Sequence, residues 1–358
     1  MSDIVRKLSL VLVLLALQVP TVALAQQAQK AATTVAEIAL YEGPDRMQRL
    51  VEGAKREGEL TIYETVTPVD FKFVSDAFTK KYGIKLKIWR SSSENLLGRI
   101  VAEQHAGRFE IDAVETVATE MEALHREKVL QMAKSPELAH QMPQAIRPHG
   151  EWVGHAVVPI VQGYNPKIVN KEELPKSYQD LLDPRWKGRL GIEAADEVWF
   201  GYLSQALGEE KAHKLFGSIV ATNGVSVRKG HSLLTNLVAA GEVPLALNLY
   251  AYSAENARQK GSPVEWFVMP PAIASFLGVG VMKTAPHPYA AMLFYDFMLG
   301  EEGQRILASR NYLPTNNKVE RPMLKNVPLT LIDTAHALDM EGKWGKAFEE
   351  IFTKRTKQ

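Results

Sequence analysis

The chain has 358 residues, which is enough for two domains of ordinary size. Its 42 lysine and arginine residues nearly balance its 41 aspartate and glutamate residues, so it lacks the excess positive charge of a nucleic-acid-binding protein. It contains no cysteine, which excludes disulfides, a cysteine-ligated zinc ion and lipid attachment through cysteine.

The N-terminus has the three-part layout of a secretory signal peptide. Arg6 and Lys7 precede an apolar run over residues 8–17, and a small-residue triplet follows at 23–25. This pattern predicts export, with cleavage after Ala25 and a periplasmic location. The apolar run is shorter than the roughly 20 residues that a membrane-spanning helix needs. A buried N-terminal helix is the alternative interpretation.

Strand and helix signals alternate through the first half of the mature chain. A β-rich run at 60–63 is followed by Thr67, which can cap a helix that ends at Gly83. Residues 84–89 alternate apolar and basic side chains as a strand does. The next predicted elements are a helix after Glu94, a strand at 111–114 and a helix at 117–126.

The second half of the chain repeats this plan. Predicted strands lie at 156–161, 190–192, 244–249, 264–268 and 278–282. Predicted helices lie at 200–207, 209–220, 232–240, 252–260 and 287–299. The alternation predicts parallel sheets with helices on both faces, arranged as two α/β domains. Pro270-Pro271 marks a predicted passage between the domains, so the chain crosses more than once.

Motifs for catalysis are absent from the sequence. The nine histidines form no HExxH pair, and no nucleophile elbow, Walker loop or GxGxxG fingerprint is present. Carboxylate neighbours such as Asp196 and Glu197 exist, but sequence alone does not bring two of them to the working distance of a glycosidase. The sequence therefore predicts no enzyme and no cofactor.

Segments spread over nearly the whole mature chain carry a family resemblance. The most specific is the string DLLDPRWKG at Asp180–Gly188, within a longer matching segment. The matching segments are Leu60–Tyr63, Ser91–Leu96, Gly163–Pro166, Tyr178–Gly188, Ala239–Val243, Ala285–Pro288 and Gly303–Pro314. In this order they resemble the periplasmic solute-binding proteins of bacterial ABC importers, in the ferric-iron-binding-like group of the type II fold.

The resemblance implies two α/β lobes, each a mainly parallel sheet flanked by helices, with a ligand cleft between them. The cleft would close on a small solute and deliver it to an inner-membrane permease, and the protein is expected to be a monomer. The expected divisions are a signal peptide at 1–25, a flexible leader at 26–40, lobe 1 at 41–157 and 276–320, lobe 2 at 158–275, and a C-terminal helical segment at 321–358 packing on the lobes.

The iron ligands of that group match this sequence only in part. Ferric-binding members resemble one another in two adjacent tyrosines, usually with a histidine and a glutamate from the first lobe. Here Tyr250 and Tyr252 are separated by one residue, the histidine position falls on Thr67, and the glutamate position falls near Val117. Iron is therefore the alternative ligand, held by Tyr250, Tyr252 and, in a shifted register, Glu115.

The main expectation is a small organic or oxyanionic solute bound between the lobes. Side chains at the ends of the first three strands are the lobe 1 candidates, because open α/β sheets bind ligands there. They are Thr65, Thr67, Ser91, Ser92, Glu115 and Thr116. Helix capping is the competing interpretation for the serines and for Thr67, and a solvated carboxylate is the competing interpretation for Glu115.

The lobe 2 candidates combine aromatic rings with charged groups. They are Glu197, Trp199, Arg228, Tyr250 and Tyr252. Both phenols are expected to enter one site if residues 250–252 are extended, because strand side chains alternate. Trp199 could instead belong to the core, and His231 could be a helix neighbour without a ligand role. A second alternative is an exported hydrolase or transferase on the same scaffold.

Overall fold

One continuous path of hydrogen-bonded strands runs through two α/β lobes. The computed structural model describes residues 34–354, and the predicted signal peptide lies outside them. The strands are numbered in chain order, and along the path they are β2 (Lys85–Arg90), β1 (Glu59–Glu64), β3 (Ala113–Val117), β10 (Ala272–Met282), β5 (Trp152–Tyr164), β8 (Leu245–Tyr250), β6 (Leu190–Glu193) and β7 (Ser226–Arg228). No helix within 34–354 is both long and apolar enough to cross a lipid bilayer.

Lobe 1 begins with two helices and a small sheet. Its helices are α1 (Val35–Ala39), α2 (Arg46–Glu57), α3 (Pro68–Tyr82), α4 (Ser93–His105) and α5 (Ala118–Arg126). Its first strands are β1 (Glu59–Glu64), β2 (Lys85–Arg90), β3 (Ala113–Val117) and β4 (Leu130–Gln131). Strands β2, β1 and β3 are parallel, as the alternation of strands and helices predicted.

Local capping explains where two of these helices begin. Thr67 caps α3 by accepting the N–H of Asp70 at 3.3 Å, and Gly83 ends the helix with a left-handed backbone, φ 75°. Helix α1 lies within the segment 26–40 that was predicted to be a flexible leader. A capping box between Thr34 and Glu37 starts it, and two of its apolar residues are buried.

Two long strands carry the chain between the lobes. Strand β5 (Trp152–Tyr164) runs antiparallel to β10 (Ala272–Met282) as far as Pro159. From Ile160 onward it pairs instead with a strand of lobe 2. The change of partner lies close to the predicted lobe boundary at 157/158. These strands make the sheet mixed, parallel within each lobe and antiparallel at the crossing.

Lobe 2 repeats the alternation of strands and helices. Its strands are β6 (Leu190–Glu193), β7 (Ser226–Arg228), β8 (Leu245–Tyr250) and β9 (Glu265–Phe267). Its helices are α6 (Glu197–Leu207), α7 (Glu209–Asn223), α8 (His231–Ala240) and α9 (Ala251–Gln259). Strand β6 lies between β7 and β8 and is parallel to both.

The chain then returns to lobe 1 and ends on a helix that contacts both lobes. The returning elements are α10 (Pro288–Leu299), α11 (Glu301–Ser309), β11 (Leu313–Pro314), β12 (Leu329–Leu331) and α12 (Thr334–Phe348). Short 3₁₀ helices lie at Pro136–His140, Pro143–Ala145, Lys171–Glu173, Tyr178–Leu182 and Pro184–Trp186, and a π-helical turn at Glu349–Thr353.

Helix α12 is anchored on both sides of the boundary between the lobes. Asp339 pairs with Arg126 of α5 at 2.7 Å, and Lys343 pairs with Glu209 of lobe 2 at 2.7 Å. Its Trp344 is buried in the lobe 2 core against α6. Helix α12 therefore contacts both lobes.

The contact between α6 and α12 depends on a glycine. A methyl group at Gly201 would overlap the indole of the buried Trp344. We expect Gly201→Ala to lower the free energy of unfolding by about 1–3 kcal/mol through overpacking, measured by urea denaturation. Gly342→Ala in α12 is the matched control, because open space surrounds that position and alanine favours a helix. Equal stability of both variants would contradict this packing.

Candidate solute-binding cleft

A cavity of about 600 Å³ lies between the lobes. It is lined from lobe 1 by the turns after β1 and β2 and by the first turn of α5, and from lobe 2 by the turns after β6, β7 and β8. These turns meet there because the carboxyl ends of parallel strands share one edge of a sheet. The volume is in the range of sites for small molecules.

The lobe 1 wall consists of two polar turns. Thr65, Thr67, Ser91 and Ser92 all line the cavity, where the sequence predicted them. Ser92 occupies the N-cap of α4 without a capping hydrogen bond from its side chain, so its hydroxyl group is available to a ligand. Arg90 also lines the cavity, and its guanidinium donates to main-chain carbonyl groups of the first turn, at 3.1 and 3.4 Å.

Glu115 and Thr116 lie behind this wall rather than on it. Both are fully buried, because strands on each side of β3 and helices on its faces enclose them. Glu115 accepts hydrogen bonds from His155 Nε2 at 3.0 Å and from the backbone N–H of Thr65 at 3.3 Å. The structure thus gives Glu115 a supporting position under the Thr65 turn, in contrast to the predicted ligand role.

Glu64 lies beside Glu115 and makes the stability of lobe 1 depend on pH. Burial, and then the charge of Glu115, raise the pKa of Glu64 to about 9 from the ordinary 4.5. The unfolded chain loses this proton above pH 4.5, whereas the folded protein keeps it until about pH 9. The free energy of unfolding therefore falls as pH rises between these values, by up to about 1.4 kcal/mol per pH unit.

We expect Glu64→Gln to remove this pH dependence, because glutamine mimics the protonated carboxyl group. Urea denaturation at pH 5 and pH 8 measures the effect: the variant should gain stability relative to the wild type on going to pH 8. A difference between the two proteins that is the same at both pH values would contradict a protonated Glu64.

The lobe 2 wall brings together two carboxylates and an imidazole. One ligand atom each from Glu193, Asp196 and His231 lies within 4.8 Å of the others. Glu193 Oε1 accepts the N–H of Gly230 at 2.7 Å, and the Asn248 side-chain amide donates to Asp196 Oδ2 at 2.7 Å. His231 Nε2 lies 3.4 Å from Asp196 Oδ1. These bonds hold the three side chains in fixed positions around one point.

Two tyrosines stand beside this cluster. Tyr250 ends β8 with its ring 3.8 Å from that of His231, and Tyr252 stacks on Tyr250 at 5.6 Å and on Tyr312 at 4.1 Å. Tyr252 lies in the first turn of α9, so residues 250–252 are not extended. An extended segment was the condition under which both phenols were expected to enter one site. Both rings nevertheless line the cavity, because the bend between strand and helix turns them to the same side.

The cleft carries more acidic than basic groups. Six carboxylates and two permanently charged cations line it. The acidic residues are Glu94, Glu120, Glu193, Asp196, Glu197 and Glu341, and the basic ones are Arg90 and Lys229. Desolvation followed by repulsion from neighbouring carboxylates raises the pKa of Glu197 to about 7. Because a bound cation would relieve this repulsion, the electrostatics of the cleft favour a positively charged ligand.

The remaining predicted residues divide between wall and surface. Glu197 and Trp199 line the cavity, although Trp199 is only 2% exposed and also belongs to the lobe 2 core. Arg228 is exposed and does not line it. Glu193 was not predicted from the sequence, although it lies at the end of β6, where open α/β sheets bind ligands. Glu341 lies on helix α12, so the rule that ligands bind at the ends of strands does not predict it.

Two lobes joined by crossing strands, with a polar cleft between them, define a two-lobed solute-binding protein. The chain belongs to the bacterial extracellular solute-binding protein family, whose model matches residues 118–339. This family binds solutes and is not enzymatic, in agreement with the lack of catalytic motifs in the sequence. The predicted periplasmic binding-protein fold and ABC-importer class are thereby confirmed, whereas the signal cleavage site lies outside the described residues.

The proteins that are similar to this chain have names that indicate different ligands. The Fe(3+)-binding periplasmic protein of Serratia marcescens is 27% identical over 269 residues, which cover 73% of this chain and 79% of that protein. Iron-bound HitA from Pseudomonas aeruginosa is 27% identical, with TM-score 0.69 over 80% of this chain and 99% of that one. AfuA from Actinobacillus pleuropneumoniae with bound fructose-6-phosphate is 21% identical, with TM-score 0.73 over 83% and 99%.

Proposed function

We propose that the protein is the periplasmic receptor of an ABC importer for ferric iron. The observation that carries this proposal is the cluster of Glu193, Asp196 and His231 beneath Tyr250, with ligand atoms of the first three within 4.8 Å of one another. Ferric iron is a hard cation and prefers anionic oxygen ligands, which two carboxylates and a phenolate supply. The relatives named for iron support the same cargo.

The phenol of Tyr250 is suited to a ligand that deprotonates it. Burial, and then the charge of Asp196, raise the pKa of Tyr250 well above its ordinary value, so the phenol stays protonated in the free protein. A trivalent cation at the cluster would offset this cost by its own charge. The Tyr252 ring stacks on Tyr312 at 4.1 Å, whereas the Tyr250 ring lies 3.8 Å from that of His231, so Tyr252 is the weaker candidate.

An organic cation is the second candidate. The cavity of about 600 Å³ is far larger than a bare ion, and its aromatic wall of Trp199, Tyr250 and Tyr252 stands among carboxylates. Aromatic faces attract ammonium groups, and the surrounding acidic groups would pair with them. The Ser91 turn and Arg90 could donate hydrogen bonds to the predicted oxyanionic solute. The excess of carboxylates in the cleft would repel an anion, which argues against this solute.

A ligand panel with the purified protein tests these candidates. Thermal unfolding is followed with ferric citrate, citrate alone, organic ammonium compounds and sugar phosphates. A ligand present at 100 times its dissociation constant stabilises the folded state by about 2.7 kcal/mol. Stabilisation by ferric citrate but not by citrate, with a visible tyrosinate-to-iron absorption band, is the expected result. Stabilisation by ammonium compounds or sugar phosphates alone would overturn the iron proposal.

The cleft geometry also supports lobe closure in delivery to a permease. Lys229 of lobe 2 reaches Glu94 of lobe 1 at 3.3 Å, so the two rims of the cleft meet. Both side chains are more than half exposed, and such surface pairs contribute little energy. The lobes can therefore separate to admit a solute and close again, and we propose that the closed form docks on the permease as a monomer.

A further inference from the structure

An ion pair joins helices α5 and α12 beside the cavity. Arg126, in the last turn of α5, pairs with Asp339 of α12 at 2.7 Å and donates to the main-chain carbonyl of Ala335 at 3.1 Å. Neither Arg126 nor Asp339 lines the cavity, but close neighbours of both do. Ala123 precedes Arg126 by about one turn, and Leu338 is adjacent to Asp339. The pair therefore lies just outside the place where α5 and α12 form the cavity wall.

Buried apolar side chains fix α12 to lobe 2. Ala337, Trp344 and Phe348 are at most 4% exposed, and all three belong to the lobe 2 core. Separating α12 from lobe 2 would expose these side chains to water, which is strongly unfavourable. Helix α12 therefore moves with lobe 2 as one body whenever the lobes change their relative position.

The ion pair to lobe 1 is open to solvent. The side chains of Arg126 and Asp339 are 40% and 61% exposed. Water can replace such an exposed ion pair at little cost in free energy. The ion pair across the opposite rim, between Lys229 and Glu94, has the same character. Both pairs between the lobes can therefore break and form again as the cleft opens and closes.

The start of α12 lies at the boundary between the lobes. Tyr202 of lobe 2 donates to the carbonyl of Asp333 at 2.9 Å, and Arg147 of lobe 1 donates to Thr334 Oγ1 at 3.1 Å. Asp339 lies five residues beyond Thr334, which is about 7.5 Å along a helix axis. A rotation of lobe 2 about the start of α12 would move Asp339 away from Arg126 more than it would move Thr334.

We propose that Arg126 is a positioning residue for solute binding, which pairs with Asp339 when the lobes close and separates from it when they open. This inference rests on the lobe closure proposed above. Helix α12 carries Glu341 into the cavity wall, so Arg126 acts on the solute through the placement of α12. Together with Lys229 and Glu94, the pair closes the cavity on two sides.

A charge reversal with its complementary partner tests this role, with ferric citrate as the probe. Arg126→Glu opposes two negative charges across the cleft and should weaken binding about tenfold. The double variant Arg126→Glu/Asp339→Arg restores opposite charges and should recover most of the lost affinity. Arg305→Glu is the matched control, because Arg305 is 65% exposed and pairs with Glu301 of its own helix at 2.7 Å. Wild-type affinity is expected for this control.

Urea denaturation of the ligand-free proteins distinguishes a closure contact from a permanent one. Asp339→Arg should change the stability of the wild type and of Arg126→Glu by the same amount, because the open lobes keep the two positions apart. Rescue of ligand-free stability by the second substitution, or no rescue of affinity, would overturn the proposal. Failure of the wild type to bind ferric citrate would reject the iron cargo, and the urea comparison would still decide the role of the pair.

Discussion

Replacing Tyr250 by phenylalanine should abolish the visible tyrosinate-to-iron band and weaken ferric binding by more than two orders of magnitude. Loss of a residue that only orients a metal ligand costs about 10–100-fold, and loss of the ligand itself should exceed this. The ring packs against His231 and against both cores, and phenylalanine keeps this packing. The melting temperature without ligand should therefore change little.

Tyr252→Phe is the matched control for this prediction. Tyr252 stacks on the buried Tyr312 at 4.1 Å, whereas Tyr250 is the ring that lies against His231, at 3.8 Å. We expect a smaller loss of affinity from this variant and an absorption band that persists. Loss of the band in Tyr252→Phe but not in Tyr250→Phe would identify Tyr252 as the phenolate ligand. That result would contradict the proposed arrangement, in which Tyr250 binds the ion beside His231.

Ferric affinity should also increase with pH. The pKa of Tyr250 is raised, mainly by burial, so the free protein holds the phenol proton throughout the physiological range. Binding as a phenolate releases that proton, which makes the association constant grow up to tenfold for each pH unit. The slope should fall in Tyr250→Phe. Affinities must be compared in the presence of a chelator such as citrate, and a wild-type slope equal to that of the variant would exclude a phenolate ligand.

The elements of the fold could be predicted because their signals are local. The cap at Thr67, the glycine at Gly83 and the alternation over 84–89 each depend on residues a few positions apart. Strand ends could likewise be expected at one edge of the sheet, which located Thr65 and Ser91 in the cavity wall. These inferences needed only chain order and the geometry of parallel sheets.

The positions that were not predicted depend on contacts across the sheet. Glu115 directly follows the strand predicted at 111–114, but the observed strand β3 continues to Val117, so Glu115 lies in its middle, buried between β1 and β10. Sequence order does not reveal β10 as a partner of β3. The cluster of Glu193, Asp196 and His231 forms because β6 lies next to both β7 and β8. Glu341 joins the cleft only through the packing of α12 on both lobes.

Removing His155 should destabilise the protein by about 3–5 kcal/mol, because it leaves a buried carboxylate without its partner. His155 on β5 and Glu115 on β3 are both fully buried, and their side chains meet at 3.0 Å behind the cleft. We expect His155→Leu to show this loss in urea denaturation at pH 7. Leucine occupies a similar volume, so the loss would reflect the unpaired charge more than a cavity.

The variant Glu115→Gln distinguishes a supporting role of Glu115 under the Thr65 turn from a direct role in ligand binding. Glutamine still offers an oxygen to the backbone N–H of Thr65 and an amide group to His155, so we expect a loss of stability smaller than that of His155→Leu. Its ferric affinity should stay within a few-fold of the wild type, because Glu115 does not line the cavity. A loss as large as that of Tyr250→Phe would instead make Glu115 an iron ligand, and would require the Thr65 turn to open when the solute binds.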